Sequence, residues 1–217
     1  MRIALFDYGV GNLHSLGKAL EGAGARVTVT REWGVALDLD GLVLPGVGAF
    51  SAAVQALPPD RSALREALEA GLPCLGICLG MQLLFQGSEE GSGEGIGMIP
   101  GRVRRLTARV VPQMGWNRVE SASDVLFQGL PGGDEPEVVA YFANSYVCEP
   151  RDPAHVIGWT THDGDRFASA VRRGTTWGMQ FHPEKSSHQG RRIIQNFVTQ
   201  VAAWREGRVA ETQGGPR

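Results

Sequence analysis

Lysine and cysteine are the scarce residues of this 217-residue chain. Lys18 and Lys185 are the only lysines, so arginine carries nearly all of the positive charge. Lys and Arg number 21 against 23 Asp and Glu, a formal net charge of -2. That balance leaves no electrostatic footprint for nucleic acid or for an anionic membrane. No apolar run approaches the roughly 20 residues that a membrane-spanning helix needs. The opening MRIALFDYG is too short an apolar stretch for a signal peptide, and a turn follows at once. The three cysteines, Cys74, Cys78 and Cys148, form neither a disulfide framework nor a CxxC metal clip. These absences point to the cytoplasm, where thiols stay reduced. No Walker loop occurs. The GxG of Asp7-Tyr8-Gly9-Val10-Gly11-Asn12 lacks its third glycine, since Ser15 or Leu16 stands where it is required. Nucleotide binding is thereby excluded, and neither a cofactor nor a metal is expected.

What is present is an ordinary globular composition, 42% hydrophobic and 20% charged. Short apolar runs ended by turn residues predict strands at 2–6, 26–30, 41–44 and 74–77. Helical spacing predicts helices at 12–22, 61–70 and from Leu79 to Phe85. The order β-α-β-β-α-β-α argues an α/β fold, a doubly wound, mostly parallel sheet with helices on both faces. The Gly-rich stretch 89–97 is expected to be a surface loop. From 96 to about 171 short strands alternate with turns, which predicts an antiparallel extension. A late strand over 175–181 precedes an amphipathic helix over 191–204. A single domain is expected over 1–204, and the aperiodic tail 205–217 is expected to fray.

Against that background, Gly76-Ile77-Cys78-Leu79-Gly80 calls for an explanation. A strand that turns at once into a helix pushes the turn residue outward at the carboxyl edge of the sheet, and small neighbours keep the corner clear. That is the nucleophile-elbow pattern, here with cysteine. The helix starting at Leu79 aims N–H groups at the sulfur and favours a thiolate. The Leu79 N–H is also placed to bond an oxyanion. Cys74 and Cys148 are expected to be small buried apolar residues, the common fate of a free cysteine.

A nucleophile needs a base. His182, in Gly178-Met179-Gln180-Phe181-His182-Pro183-Glu184, sits where a strand runs out, and residues two apart on a strand share a side. Glu184 is then placed to orient the imidazole, which completes the logic of a triad. His14, His155, His162 and His188 are expected to be solvated or capping. Pro45-Gly46-Val47-Gly48 follows the third strand, where glycines allow close backbone approach to an oxyanion.

GICLGMQ, GMQFHPE and PGVGAF together resemble the class I, or triad, glutamine amidotransferases. The resemblance implies a doubly wound α/β fold in which cysteine attacks the side-chain amide of glutamine, forms a γ-glutamyl thioester and frees ammonia. It implies Cys78 as nucleophile, His182 as general base and acid, Glu184 as orienter, and oxyanion donors from Gly46, Val47, Gly48 and Leu79. Gln82 is similar to the residue that holds the glutamine head group, and Ser145 and Tyr146 match the segment along the substrate. DYGVGNLHSL, PQMGWN and FHPEKSS narrow the resemblance to the glutaminase subunits of imidazole glycerol phosphate synthases, in histidine biosynthesis. That implies a heterodimer with a (β/α)8-barrel cyclase, which takes up the ammonia through an internal passage. Met114 and Trp116 are then candidate anchors for the partner. Glutaminase activity would stay low until the cyclase binds its own substrate, with the Val47 peptide reorienting its N–H toward the oxyanion. Asn144 departs from the histidine that such proteins commonly carry there.

Three alternatives compete. A sister glutaminase would serve pyridoxal phosphate, anthranilate or purine synthesis. A stand-alone γ-glutamyl Cys-His hydrolase would need no partner. An α/β binding module would carry an inert cysteine.

Overall fold

A computed structural model describes residues 1–9, 13–46, 48–120, 122–130 and 138–213, with side chains as far as 210 in the last span. Strand β1 (Arg2–Phe6) alternates its side chains between two cores. Ile3 and Leu5 join one cluster with Leu16 and Leu20 of α1 (His14–Gly22), while Ala4 and Phe6 join the other. A strand buried on both faces is what a parallel sheet between helix layers requires. After β2 (Arg26–Thr30) and the short α2 (Trp33–Leu37) comes β3 (Gly41–Leu44), fully buried. Helices α3 (Phe50–Gln55) and α4 (Ser62–Glu69) lead to β4 (Cys74–Ile77) and then directly to α5 (Leu79–Leu83).

A hairpin of β5 (Gly87–Ser88) and β6 (Gly91–Glu94) precedes β7 (Gly101–Arg105). Then follow β8 (Gln113–Val119), β9 (Val138–Asn144), β10 (Tyr146–Pro150), β11 (Val156–His162), β12 (Asp165–Arg173) and β13 (Thr176–Met179). The chain closes on α6 (Ser187–Gln213). Ile193, Ile194, Phe197, Val198 and Val201 of α6 share the core of α1. The residues α2 to α5 bury lie in the opposite core.

The main sheet runs β2-β1-β3-β4-β13-β12-β10-β7-β5-β6, with β11 on β12. From β2 to β13 every pairing is parallel. Beyond β13 the sheet turns antiparallel through β12, β10 and β7. Strand β4 lies between β3 and β13, with Gly76 beside both Leu44 and Gly178. Three parallel carboxyl ends therefore emerge side by side, at the edge where open α/β sheets place their ligands.

The α/β class, the parallel half and the antiparallel extension match expectation, but an unexpected helix, α3, follows β3, and other details differ too. The link from β2 to β3 contains a helix, α2, which has one buried residue, Ala36, and so no apolar stripe to betray it. Residues 89–97 are partly the β5–β6 hairpin rather than a plain loop. Part of the extension separates, because β8 and β9 pair only with each other in a second sheet. Helix α6 continues to Gln213, past the expected frayed start at 205. Its side chains from Arg205 to Ala210 are exposed, so the apolar pattern ends while the helix does not.

Candidate active site

Cys78 follows β4 and precedes α5, with φ 48° and ψ -103°. Such a conformation costs a non-glycine residue about 1–3 kcal/mol, which the surroundings must hold in place. They do so closely. The Cys78 N–H donates to the Met179 carbonyl at 2.6 Å, which ties the corner to β13. The flanking glycines are a packing necessity. A Cβ on Gly80 would lie 2.0 Å from the Leu44 carbonyl oxygen, and one on Gly76 would lie 2.6 Å from that of Gly80.

His182 is buried, and its N–H donates to the Tyr141 carbonyl at 2.9 Å. The Ser186 hydroxyl donates to the His182 carbonyl at 2.7 Å and accepts from the Tyr141 N–H at 2.9 Å. A turn clamped in this way fixes the ring. Glu184 meets the His182 Nδ1 at 2.8 Å. Glu184 thus stands beside the ring, but the local structure differs from the expected strand end. Pro183–Lys185 is a 3-10 turn, not a strand end, so proline redirects the chain and the carboxylate curls back onto the ring.

The electrostatics favour a charged imidazole. Burial works against the cation. Hydrogen bonds to Cys78 and Glu184, and the attraction of both groups, outweigh it and raise the His182 pKa from 6.5 to about 9. An imidazolium beside the sulfur is the counter-ion that a thiolate needs. The other cysteines have no such partner: burial pushes both the Cys74 and Cys148 thiols up, with the charge of Cys78 adding to the effect at Cys148.

One cavity of about 290 Å³ gathers most of the predicted residues. Gly46, Gly48, Cys78, Leu79 and His182 line it, together with Gln82, Ser145 and Tyr146. The Gln82 side-chain amide donates to the Tyr146 carbonyl at 3.4 Å. Val47 lies outside the described residues, as do Val10, Gly11 and Asn12. Met114 and Trp116 do not line the cavity. They project from one side of β8, 69% and 56% exposed. Asn144 lines the cavity, and its Nδ2 donates to the Tyr146 carbonyl at 3.2 Å. A larger cavity, about 560 Å³, lies at the Gly101–Pro150 end of the β7–β10 pair and is lined by none of these residues and by no nucleophile.

Sequence reasoning missed Glu90. It lines the cavity and its carboxylate accepts from the Phe50 N–H at 3.0 Å. In the sequence it is one acid in a Gly-rich polar stretch, and only the β5–β6 turn brings it to the site. Lys185 was missed as well. It lines the cavity, and its Nζ stands 5.8 Å from the centre of the Tyr141 ring.

The Cys78–His182–Glu184 geometry yields a prediction for Glu184→Gln. Losing the carboxylate removes a charge that raises His182 and leaves at most a weaker, neutral hydrogen bond from the amide oxygen. With His182 raised to about 9, an alkaline limit of activity set by its imidazolium is expected to move down toward 6.5. At about pH 8, kcat/KM is expected to fall by about tenfold to a hundredfold, with less loss in acid. A pH–rate profile checks this. The fold responds with the same sign. A raised His182 pKa contributes stability in full below 6.5 and loses it as pH rises through about 9.

Comparison with known proteins gives the family. The family model described as Glutamine amidotransferase class-I matches residues 4–201. The imidazole glycerol phosphate synthase subunit HisH of Moorella thermoacetica is 47% identical over 200 residues, covering 90% of this chain and 93% of its own. That of Synechococcus sp. (strain JA-3-3Ab) is 44% identical over 209 residues, covering 93% and 95%. Among solved structures, a glutamine amidotransferase superposes with a TM-score of 0.70 at 18% identity, covering 92% of this chain and 99% of its own. PurLQS from Thermotoga maritima superposes with a TM-score of 0.65 at 18% identity, covering 91% and 97%. At that identity the likeness speaks for the fold alone.

Proposed function

The chain belongs to the class-I glutamine amidotransferase family, and from that premise we propose that it hydrolyses glutamine for histidine biosynthesis and hands the ammonia to a cyclase subunit. The observation that carries this is the joining of an elbow cysteine and a carboxylate-held histidine at one cavity, in a chain similar to HisH subunits along nearly all its length. The Cys78 thiolate attacks the carboxamide carbon of glutamine. Negative charge develops on oxygen, where N–H groups from the Gly46–Gly48 loop and Leu79 receive it. The His182 imidazolium gives its proton to the departing nitrogen, ammonia leaves, and a γ-glutamyl thioester remains. The now neutral imidazole takes a proton from water, and the resulting attack releases glutamate and regenerates the sulfur. Glu184 keeps the ring in one orientation throughout. Glu90 is the acidic side chain lining the cavity and suits the α-ammonium of the substrate.

The partner surface follows from strand pairing. Met114 stands opposite Ala143, and Trp116 opposite Tyr141. Ala143 lines the cavity, so the exposed apolar side of β8 begins at its rim. The Trp116 and Tyr141 rings meet edge to face, 6.2 Å apart. An exposed tryptophan held rigid beside a site is the kind of anchor that dominates an interface. Trp116→Ala is expected to weaken cyclase binding by about 10- to 100-fold without changing the fold. Titration calorimetry checks it, and unchanged affinity would move the interface elsewhere. None of the described helices is long and apolar enough to cross a membrane, and the proposal places the chain in the cytoplasm with its cyclase.

Glutamate release tests the whole reading. It is measured for the chain alone, and with the cyclase and its nucleotide substrate. Stimulation in the full complex supports it. Equal activity without a partner favours a stand-alone hydrolase.

A further inference from the structure

We propose that the Gln180 carboxamide is a hydrogen-bond donor to the nucleophile, holding Cys78 as a thiolate before substrate arrives. This rests on Cys78 being the nucleophile. Gln180 lies one residue beyond β13, where its backbone N–H donates to the Ser169 carbonyl at 2.9 Å. Its side chain is fully buried. Nε2 stands 3.5 Å from the Cys78 Sγ, within range for a hydrogen bond to sulfur. The other end of the carboxamide, Oε1, is buried with no hydrogen-bond partner among the described residues. A buried carboxamide is costly unless it is hydrogen-bonded, and this one directs its donor at sulfur.

The chemistry favours an anion at the other end. A neutral thiol is a weak acceptor, so an N–H gains little from it. A donor facing a charged partner makes a bond roughly twice as strong as a neutral pair. If the carboxamide were turned over, its oxygen would face the thiolate and repel it. The acceptor near Sγ, the Ala143 carbonyl, is farther away at 4.0 Å. Gln180 does not line the cavity, so it reaches the sulfur from the protein side and leaves the substrate side open. It therefore acts on the nucleophile without contributing to glutamine affinity.

The test follows the pH dependence of Cys78 alkylation by iodoacetamide in the full chain. Native protein, Gln180→Met, Gln180→Glu and Cys78→Ala are compared, and the adduct is located by peptide mass. Methionine keeps the bulk and removes the donor; glutamate keeps the shape and competes for the negative charge. In both, the pH of half-maximal rate is expected to rise by about one unit, slowing alkylation about tenfold near neutrality. In the cyclase complex kcat falls about tenfold, while KM for glutamine stays within about threefold. A folded variant whose alkylation profile overlays the native one overturns the proposal. A second readout needs no substitution at 180. The side-chain amide resonances of Gln180 should shift as the native chain is titrated through Cys78 ionisation, and should stop shifting in Cys78→Ala. Resonances that ignore Cys78 also overturn it. If Cys78→Ala still hydrolyses glutamine, the nucleophile itself is wrong. If that variant is dead and Gln180 is silent in both readouts, only the Gln180 assignment fails.

Discussion

Cys78→Ala is expected to abolish glutamine hydrolysis, by about 10⁴-fold or more, while the chain keeps its fold. Loss on this scale follows because no thioester can form without the sulfur, and the two other cysteines are buried with their thiols pushed toward the neutral form. The fold survives because the substitution removes one atom from a corner held by backbone contacts, such as the Cys78 N–H to Met179 bond. His182 supplies an internal check. Without Cys78 it loses a hydrogen bond and a charge that raise it, so its titration midpoint drops from about 9. Steady-state glutamate release, a thermal melt and imidazole NMR together read the three effects. Activity within about tenfold of native would remove Cys78 from the mechanism.

Gly80→Ala is expected to damage both stability and catalysis, although it adds a single methyl group remote from the reacting atoms. The new Cβ would sit 2.0 Å from the Leu44 carbonyl oxygen and 2.9 Å from the Leu44 Cβ. Those belong to β3, so the clash cannot be relieved by rotating a flexible side chain. Either α5 lifts from the sheet or β3 shifts, and both movements break the alignment of β3, β4 and β13 that brings Gly46, Cys78 and His182 to one cavity. A loss of about 3 kcal/mol or more is expected, which lowers Tm by about 6–12 °C in a chain of this size. Calorimetry and glutamate release check it. A native melting point would mean that the elbow is less tightly packed than described.

The elbow at Cys78 and the parallel half of the sheet were legible because each carried a local mark. A cysteine between two glycines at a strand end marks a corner, whereas His-Pro-Glu reads locally as a strand end and the 3-10 turn that curls Glu184 back onto the ring carries no such mark. The strands β1 to β4 were legible because parallel strands buried on both faces read as short apolar runs. What was hidden had no local mark. Helix α2 buries only Ala36 and carries Gly34 within it. Glu90 is polar among polar neighbours and gains meaning only where the β5–β6 turn meets α3. Gln180 stands in plain view two residues before His182, yet its sequence context assigns it no role. The signal available was a polar residue in the apolar run Trp177–Phe181, whose burial demands a partner. The adjacency of β4 and β13 is a long-range pairing that no local pattern encodes, yet it brings residue 182 to residue 78.

The most direct test is covalent trapping by a diazo-ketone analogue of glutamine. The label is applied in the presence of the cyclase and its nucleotide substrate and located by peptide mass spectrometry. Modification is predicted at Cys78 alone, lost in Cys78→Ala and slowed in Glu184→Gln. A label on Cys74, on Cys148 or on no residue of this chain would contradict the account.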